Sequence, residues 1–366
     1  MTRLVHASLS AIVLLFLAMP VSADEPTVGG KTKSEWMVLA KDANPRKREA
    51  AVVALGILGG KDRNVQETLR ELLLNDPAER VRLKAVLIVQ DLDKETVLRA
   101  LLPTLADLLK GDKSPAVRAA AAGALGKAGE NAKTVINVII GAYKDADVSV
   151  RTAAADATGR IGFEVKAAVP DLTELLKDAD TGVRLAAIFA LGRIGPDGAA
   201  ATTRLAELLA TDKDANVRKE VARSLGLLGL DAKAAVPALA KALRSDAATE
   251  VRQQAALALG KMGMELKAVA SILVDVLKTD ADKSVRLLTV QALASGMGSG
   301  LKDYLKELSE QMAKDPEGEV RLAIVQEVGN LGPDAKEALP ALLKATTDVQ
   351  ITIREAAKVA VKKVKG

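Results

Sequence analysis

Ten aspartate–arginine pairs with one fixed internal spacing recur along this chain, and their side chains are the ones with chemistry to offer. The arginines are Arg48, Arg82, Arg118, Arg151, Arg184, Arg218, Arg252, Arg286, Arg321 and Arg354. Six residues before each stands an aspartate: Asp42, Asp76, Asp112, Asp145, Asp178, Asp212, Asp246, Asp280, Asp315 and Asp348. A guanidinium and a carboxylate form a bidentate, charge-assisted pair, and a carboxylate at a turn also accepts backbone N–H groups. Carboxylates alone can run glycosidase-type acid–base chemistry. A partnership written ten times is poorly suited to one unique active site, and no acid pair stands apart in an apolar setting.

Other reactive side chains are nearly absent. The chain has no Cys, and its one His is His6. The first residues, "MTRLVHASLSAIVLLFLAMPVSA", have a basic start at Arg3, an apolar core from Ala11 to Met19 and a small-residue end. This is the layout of a secretory signal peptide over residues 1–23, with cleavage expected after Ala23. The apolar core is short for a spanning helix, so no membrane span is expected after cleavage. A mature exported chain would then contain neither His nor Cys. That leaves no thiol nucleophile or His base and few ligands for zinc, copper or haem. Acid-rich turns such as "KDADKS" lack the ligand spacing of an EF-hand loop. No catalytic residue, cofactor or metal site is assigned.

The elements that position the Asp–Arg pairs are helices. Consecutive arginines lie 33 to 36 residues apart, the period of helical repeat units. Each unit reads as two helices, the first carrying apolar residues at helical spacing, as in "AAVPALAKAL" (Ala234 to Leu243). Asn44, Ser114, Asp147, Asp180, Asp214 and Asp282 stand where the second helix needs an N-cap. The second helix runs through the Arg and ends in most units at Leu-Gly-x-x-Gly, with Gly126, Gly192, Gly226 and Gly260 expected as left-handed C-terminal caps. Pro103, Pro170, Pro237 and Pro340 are expected inside the first helix, where a proline kinks it. Small residues between Arg and Gly predict close approach of successive second helices. Aromatics make up 2% of the residues, and the formal net charge is +5 with 27% charged residues of both signs. That mixed surface gives no reason to expect nucleic acid.

The proline in the first helix, the turn aspartate and the Val-Arg opening the second helix together resemble the HEAT repeat family, in the short form also found in bilin lyases. The resemblance runs from about Ser34 to Lys365. It implies an all-α, right-handed α-solenoid of about ten two-helix repeats, one continuous domain over residues 34–366 after a linker at 24–33. It also implies a hydrogen-bonded ladder made by Asp145, Arg151, Asp178, Arg184, Asp212, Arg218, Asp246, Arg252 and their equivalents. Two units depart from the pattern. "QDLD" (Gln90 to Asp93) replaces the glycine turn, and "SGMGSG" (Ser295 to Gly300) is expected to make a looser joint.

In such arrays function resides where units differ, on the concave face lined by second helices. Positions one and five after each Arg share a side, which selects Leu83, Leu87, Leu185, Phe189, Lys219, Arg223, Gln253 and Leu257. Leu185 and Phe189 supply apolar bulk beside the cations Lys219 and Arg223, a groove for a segment with an apolar anchor and an acidic neighbour. The same side chains could equally pack on adjacent helices. Trp36, the only Trp, is expected to fill the open end of the first unit. The resulting expectation is a monomeric, non-enzymatic scaffold outside the cytoplasm that binds a protein or peptide. Two other readings stay open: a partner or subunit of a bilin-lyase-like enzyme, and a structural spacer of the cell envelope.

Overall fold

A computed structural model describes residues 26–366 apart from residues 60, 93–97 and 164. The expected signal segment lies outside the described residues, as does Asp93 of the irregular turn. The described residues form ten consecutive helix pairs, from Lys33–Leu39 with Pro45–Gly59 at one end to Leu339–Ala345 with Ile351–Lys365 at the other. Within the stretch read as a linker, Thr27–Val28 and Lys31–Thr32 pair as a small antiparallel hairpin. Trp36 packs under it, its Nε1 donating to the Val28 carbonyl at 2.9 Å and its ring facing the Lys31 ammonium.

The second helices start as their sequences dictate. The side chains of Ser114, Asp147, Asp180, Asp214 and Asp282 each accept an N–H of the following turn, and Asn44 accepts from Arg46 N–H. These bonds satisfy donors that a helix start leaves free.

The glycine expectation is corrected. Gly126, Gly192 and Gly226 lie inside their helices, and Gly260 caps its helix with right-handed φ. The left-handed conformation falls three residues later, at Gly129, Gly195, Gly229 and Gly263. The earlier glycine serves close approach instead: a Cβ on Gly126 would lie 2.7 Å from Ala157 Cα, and one on Gly226 would lie 3.0 Å from Ala258 Cα. Backbone rests on backbone here, and no side chain fits between.

The proline expectation holds for Pro103, inside Arg99–Gly111. It is corrected for the other three, which occupy the first turn of Val169–Leu175, Val236–Ser245 and Leu339–Ala345. A 3-10 segment precedes each of these helices: Lys166–Ala168, Gly229–Ala235 and Gly332–Ala338. A proline in a first turn loses no N–H that the α-helix needs, so it marks the change from 3-10 to α without breaking a helix. The "SGMGSG" joint is built like the others: Lys283–Met297 runs into a left-handed Gly298 and the 3-10 segment Gly298–Tyr304.

One continuous apolar core runs the length of the stack, because each pair buries its apolar face only against its neighbours. Successive second helices meet through Gly and Ala and touch more extensively than first helices, which meet through Leu and Val. The tighter layer is the inner wall of a curved stack, so the second helices line the concave side.

Candidate protein-binding face

The Asp–Arg pairs form a chain of clasps along the edge where first helix turns into second. Each Arg reaches forward to the aspartate of the next unit: Arg118 to Asp145, Arg151 to Asp178, Arg184 to Asp212, Arg218 to Asp246 and Arg252 to Asp280, with Nε to Oδ2 between 2.7 and 2.8 Å. Its Nη1 donates backward to the carbonyl of its own turn aspartate, as Arg218 does to Asp212 at 2.8 Å. The carboxylate also accepts the N–H two residues on, as Asp246 does from Ala248 at 2.9 Å. Nine such interunit pairs occur among the described residues, from Arg48–Asp76 to Arg321–Asp348.

The electrostatics follow from that geometry. The bond from Arg118 is the main cause that holds the Asp145 carboxyl below the ordinary carboxylate range, and Arg321 does the same for Asp348. At Asp112, Asp178 and Asp246 burial pushes upward. The bond from the preceding Arg, a backbone N–H and nearby cationic charge together outweigh it and leave the carboxyl lowered. Every functional group of these pairs is occupied by its neighbours, which makes the ladder joinery.

The surface left over is a stripe along the second helices. Positions one, five and nine after the Arg stay accessible in the central units, position two does so except at the buried Ala186, and most of those between are buried. Leu87 and Leu257 are exposed; Leu83 and Leu185 are half-buried and rest on the core. Gln253 is drawn into the joints, its amide donating to the Asp282 cap of the next unit at 3.2 Å.

Phe189 lies over Gly159 of the preceding helix, where a Cβ would be 2.6 Å from its ring. Leu185 and Phe189 come together with Thr152, Ala153, Asp156, Ala186 and Glu220 around an open, mainly apolar depression of about 640 Å³. Its polar groups are already engaged: Thr152 donates to the Val148 carbonyl, and Asp156 accepts from Arg160.

The expectation of a cationic pair beside Phe189 is corrected for Arg223. Arg223 is bonded to Glu220 through both Nε and Nη2 and stacks toward the Phe189 ring, 5.9 Å from its centroid. Glu220 neutralises it. Sequence reading that compared only positions one and five passed over Glu220 at position two, although a three-residue interval on a helix pairs readily. It also passed over position nine, which continues the stripe one turn further and carries Arg193 and Lys261.

The fold thus defines an α-solenoid of two-helix repeats with an accessible stripe of second-helix side chains along one side. A family model for HEAT repeats matches residues 67–157, 102–176, 136–226 and 202–294, more than half of the chain, and the chain belongs to that family. Comparison with curated proteins finds no sequence match. Among solved structures, the chain is similar to importin beta in an ammonium sulfate condition, with a TM-score of 0.62 at 14% identity over 90% of this chain and 52% of that one. It is similar also to the Kap95:Nup1 complex, with a TM-score of 0.60 at 13% identity over 91% of this chain and 50% of that one. Kap121p bound to Nup53p gives 0.54 at 15% identity, over 90% and 41%. The chain spans about half the length of these structures, and at such identities the likeness is one of fold. Among the described residues no helix is long and apolar enough to cross a membrane.

Proposed function

We propose that this chain is a non-enzymatic scaffold, working outside the cytoplasm, that holds a protein or peptide along its second-helix face. The observation that carries the reading is the depression around Leu185 and Phe189. It is the place where two large, half-buried apolar side chains of the inner face border one open depression, with their polar neighbours already satisfied. Such a site gains by receiving an apolar anchor and gives no polar group to a reaction. Support comes from the fold: two of the similar solenoids are solved with a bound protein, Nup1 on Kap95 and Nup53p on Kap121p. Export is supported by the sequence of residues 1–23.

The test is capture from a cell-envelope extract by the wild-type chain and by a Leu185→Ala, Phe189→Ala variant of unchanged helical content. A stoichiometric partner held by the first and lost by the second is expected. Equal capture by both would remove this face from the function.

A further inference from the structure

Resting on that reading, we infer that the segment held on this face is an acidic polypeptide carrying a large apolar residue. The charges of the central inner face fall into two kinds. Asp156 is neutralised by Arg160 one turn along its own helix, and Glu220 by Arg223. Arg193, Lys219 and Lys261 have no carboxylate within ion-pair distance among the described residues. They belong to three consecutive units. Lys219 stands near the start of its helix, and Arg193 and Lys261 stand near the ends of theirs. The row between them holds Phe189, the neutralised Arg223 and the exposed Leu257.

Every inner-face carboxylate of these units is therefore matched, and the cations are in excess. A ligand that settles its apolar side chain beside Phe189 brings its flanking residues over that excess. Adjacent helix axes stand about 8–10 Å apart, so the three cations span roughly two spacings across the helices and about 12 Å along them, the reach of a short extended peptide. A basic segment would meet uncompensated like charge, a cost that sorts partners more than it adds affinity. Nucleic acid fits less well. Its phosphates call for many cations in register, whereas this face offers three among apolar and neutral side chains.

The experiment is fluorescence anisotropy of the full chain with labelled synthetic peptides that share a central Phe-Leu and differ only in flanks: Asp/Glu, Lys/Arg or Ser/Gly. A single-stranded oligonucleotide is the fourth probe. The acidic peptide is expected to bind tightest and to weaken with added salt. Lys219→Glu combined with Arg193→Glu should lower its affinity about tenfold at low salt, the sum of exposed charge contacts, and flatten the salt dependence. Phe189→Ala should lower affinity and leave the salt dependence in place. Basic or neutral peptides that bind as well as the acidic one, and are lost with Phe189→Ala, would overturn the acidic class while the binding face stands. Tighter binding of the oligonucleotide would overturn the polypeptide. Absence of binding by every probe would overturn the inference, and capture of a partner sensitive to Leu185 and Phe189 would then still uphold the face.

Discussion

Arg286 grips Asp315 of the next unit with Nε to Oδ2 at 2.8 Å and Nη2 to Oδ1 at 3.0 Å, and its third nitrogen holds the carbonyl of Asp280 at 2.9 Å. One guanidinium thus fastens two units and one turn. The Asp315 side chain is 1% exposed and Arg286 8%, so the pair is nearly dry. Removing the carboxylate strands a buried cation. Asp315→Ala should cost about 3–5 kcal/mol. Asp178→Ala, in a wetter pair with Arg151, should cost about 1–2 kcal/mol. Urea unfolding midpoints of the two variants decide this; equal losses would contradict a role for burial.

The lowered carboxyls make stability depend on acid. Asp112, Asp145, Asp178, Asp246 and Asp348 hold their protons less tightly when folded than when unfolded. The unfolded chain therefore takes up protons first. The contribution is complete above the ordinary aspartate pKa of about 3.9 and is lost as pH falls through the lower folded values. Wild type should be more stable than Asp145→Asn at neutral pH, and the gap should close as pH drops below about 4. Denaturant titrations at a series of pH values read the gap, and a gap that widens in acid would refute the sign.

Two glycines of one helix should respond in opposite ways. A Cβ on Gly123 meets nothing within 4 Å, while one on Gly126 meets the Ala157 backbone. Gly123→Ala should stabilise by about 0.5–1 kcal/mol through reduced chain entropy and better helix propensity. Gly126→Ala should destabilise by about 1–3 kcal/mol through overpacking. Thermal melts of the two variants separate them, and stabilisation at both positions would mean the helices do not touch at Gly126.

Glu220 should act as a brake on ligand charge. It neutralises Arg223 beside the apolar depression, so Glu220→Gln leaves Arg223 uncompensated and adds a fourth unpaired cation to the face. An acidic peptide with an apolar centre should then bind about two- to fivefold tighter at low salt, the scale of one exposed charge contact. Anisotropy reads it, and weaker binding would mean that Glu220 itself touches the ligand.

Most of the architecture was legible because it is written ten times. The interval between Asp178 and Arg184, or Asp246 and Arg252, gave the unit, and caps such as Ser114 and Asp214 gave the helix starts. The glycines show the limit. Gly126 and Gly129 are the same letter three residues apart, one needed for the absence of a side chain and the other for its positive φ. Residue type alone does not distinguish these needs. Pro237 was assigned to a helix interior because the 3-10 segment before it has nearly the same apolar spacing as the α-helix that follows. At the candidate site, Leu185 and Phe189 were picked out by their bulk, but the neutralisation of Arg223 depends on a rotamer that brings it to Glu220.

The clasps also set how the solenoid can deform. All of them lie on one edge, where first helix meets second, and each joins neighbouring units through short charged bonds at nearly constant length. The opposite edge is closed by turns around left-handed glycines such as Gly195 and Gly229. One border is thus tied by a charged clasp at each of these joints, and the other is shaped by backbone turns. A change of curvature that kept these bonds would have to pivot on the Asp–Arg border, as a hand fan pivots on its rivet, with the length of that spine left fixed.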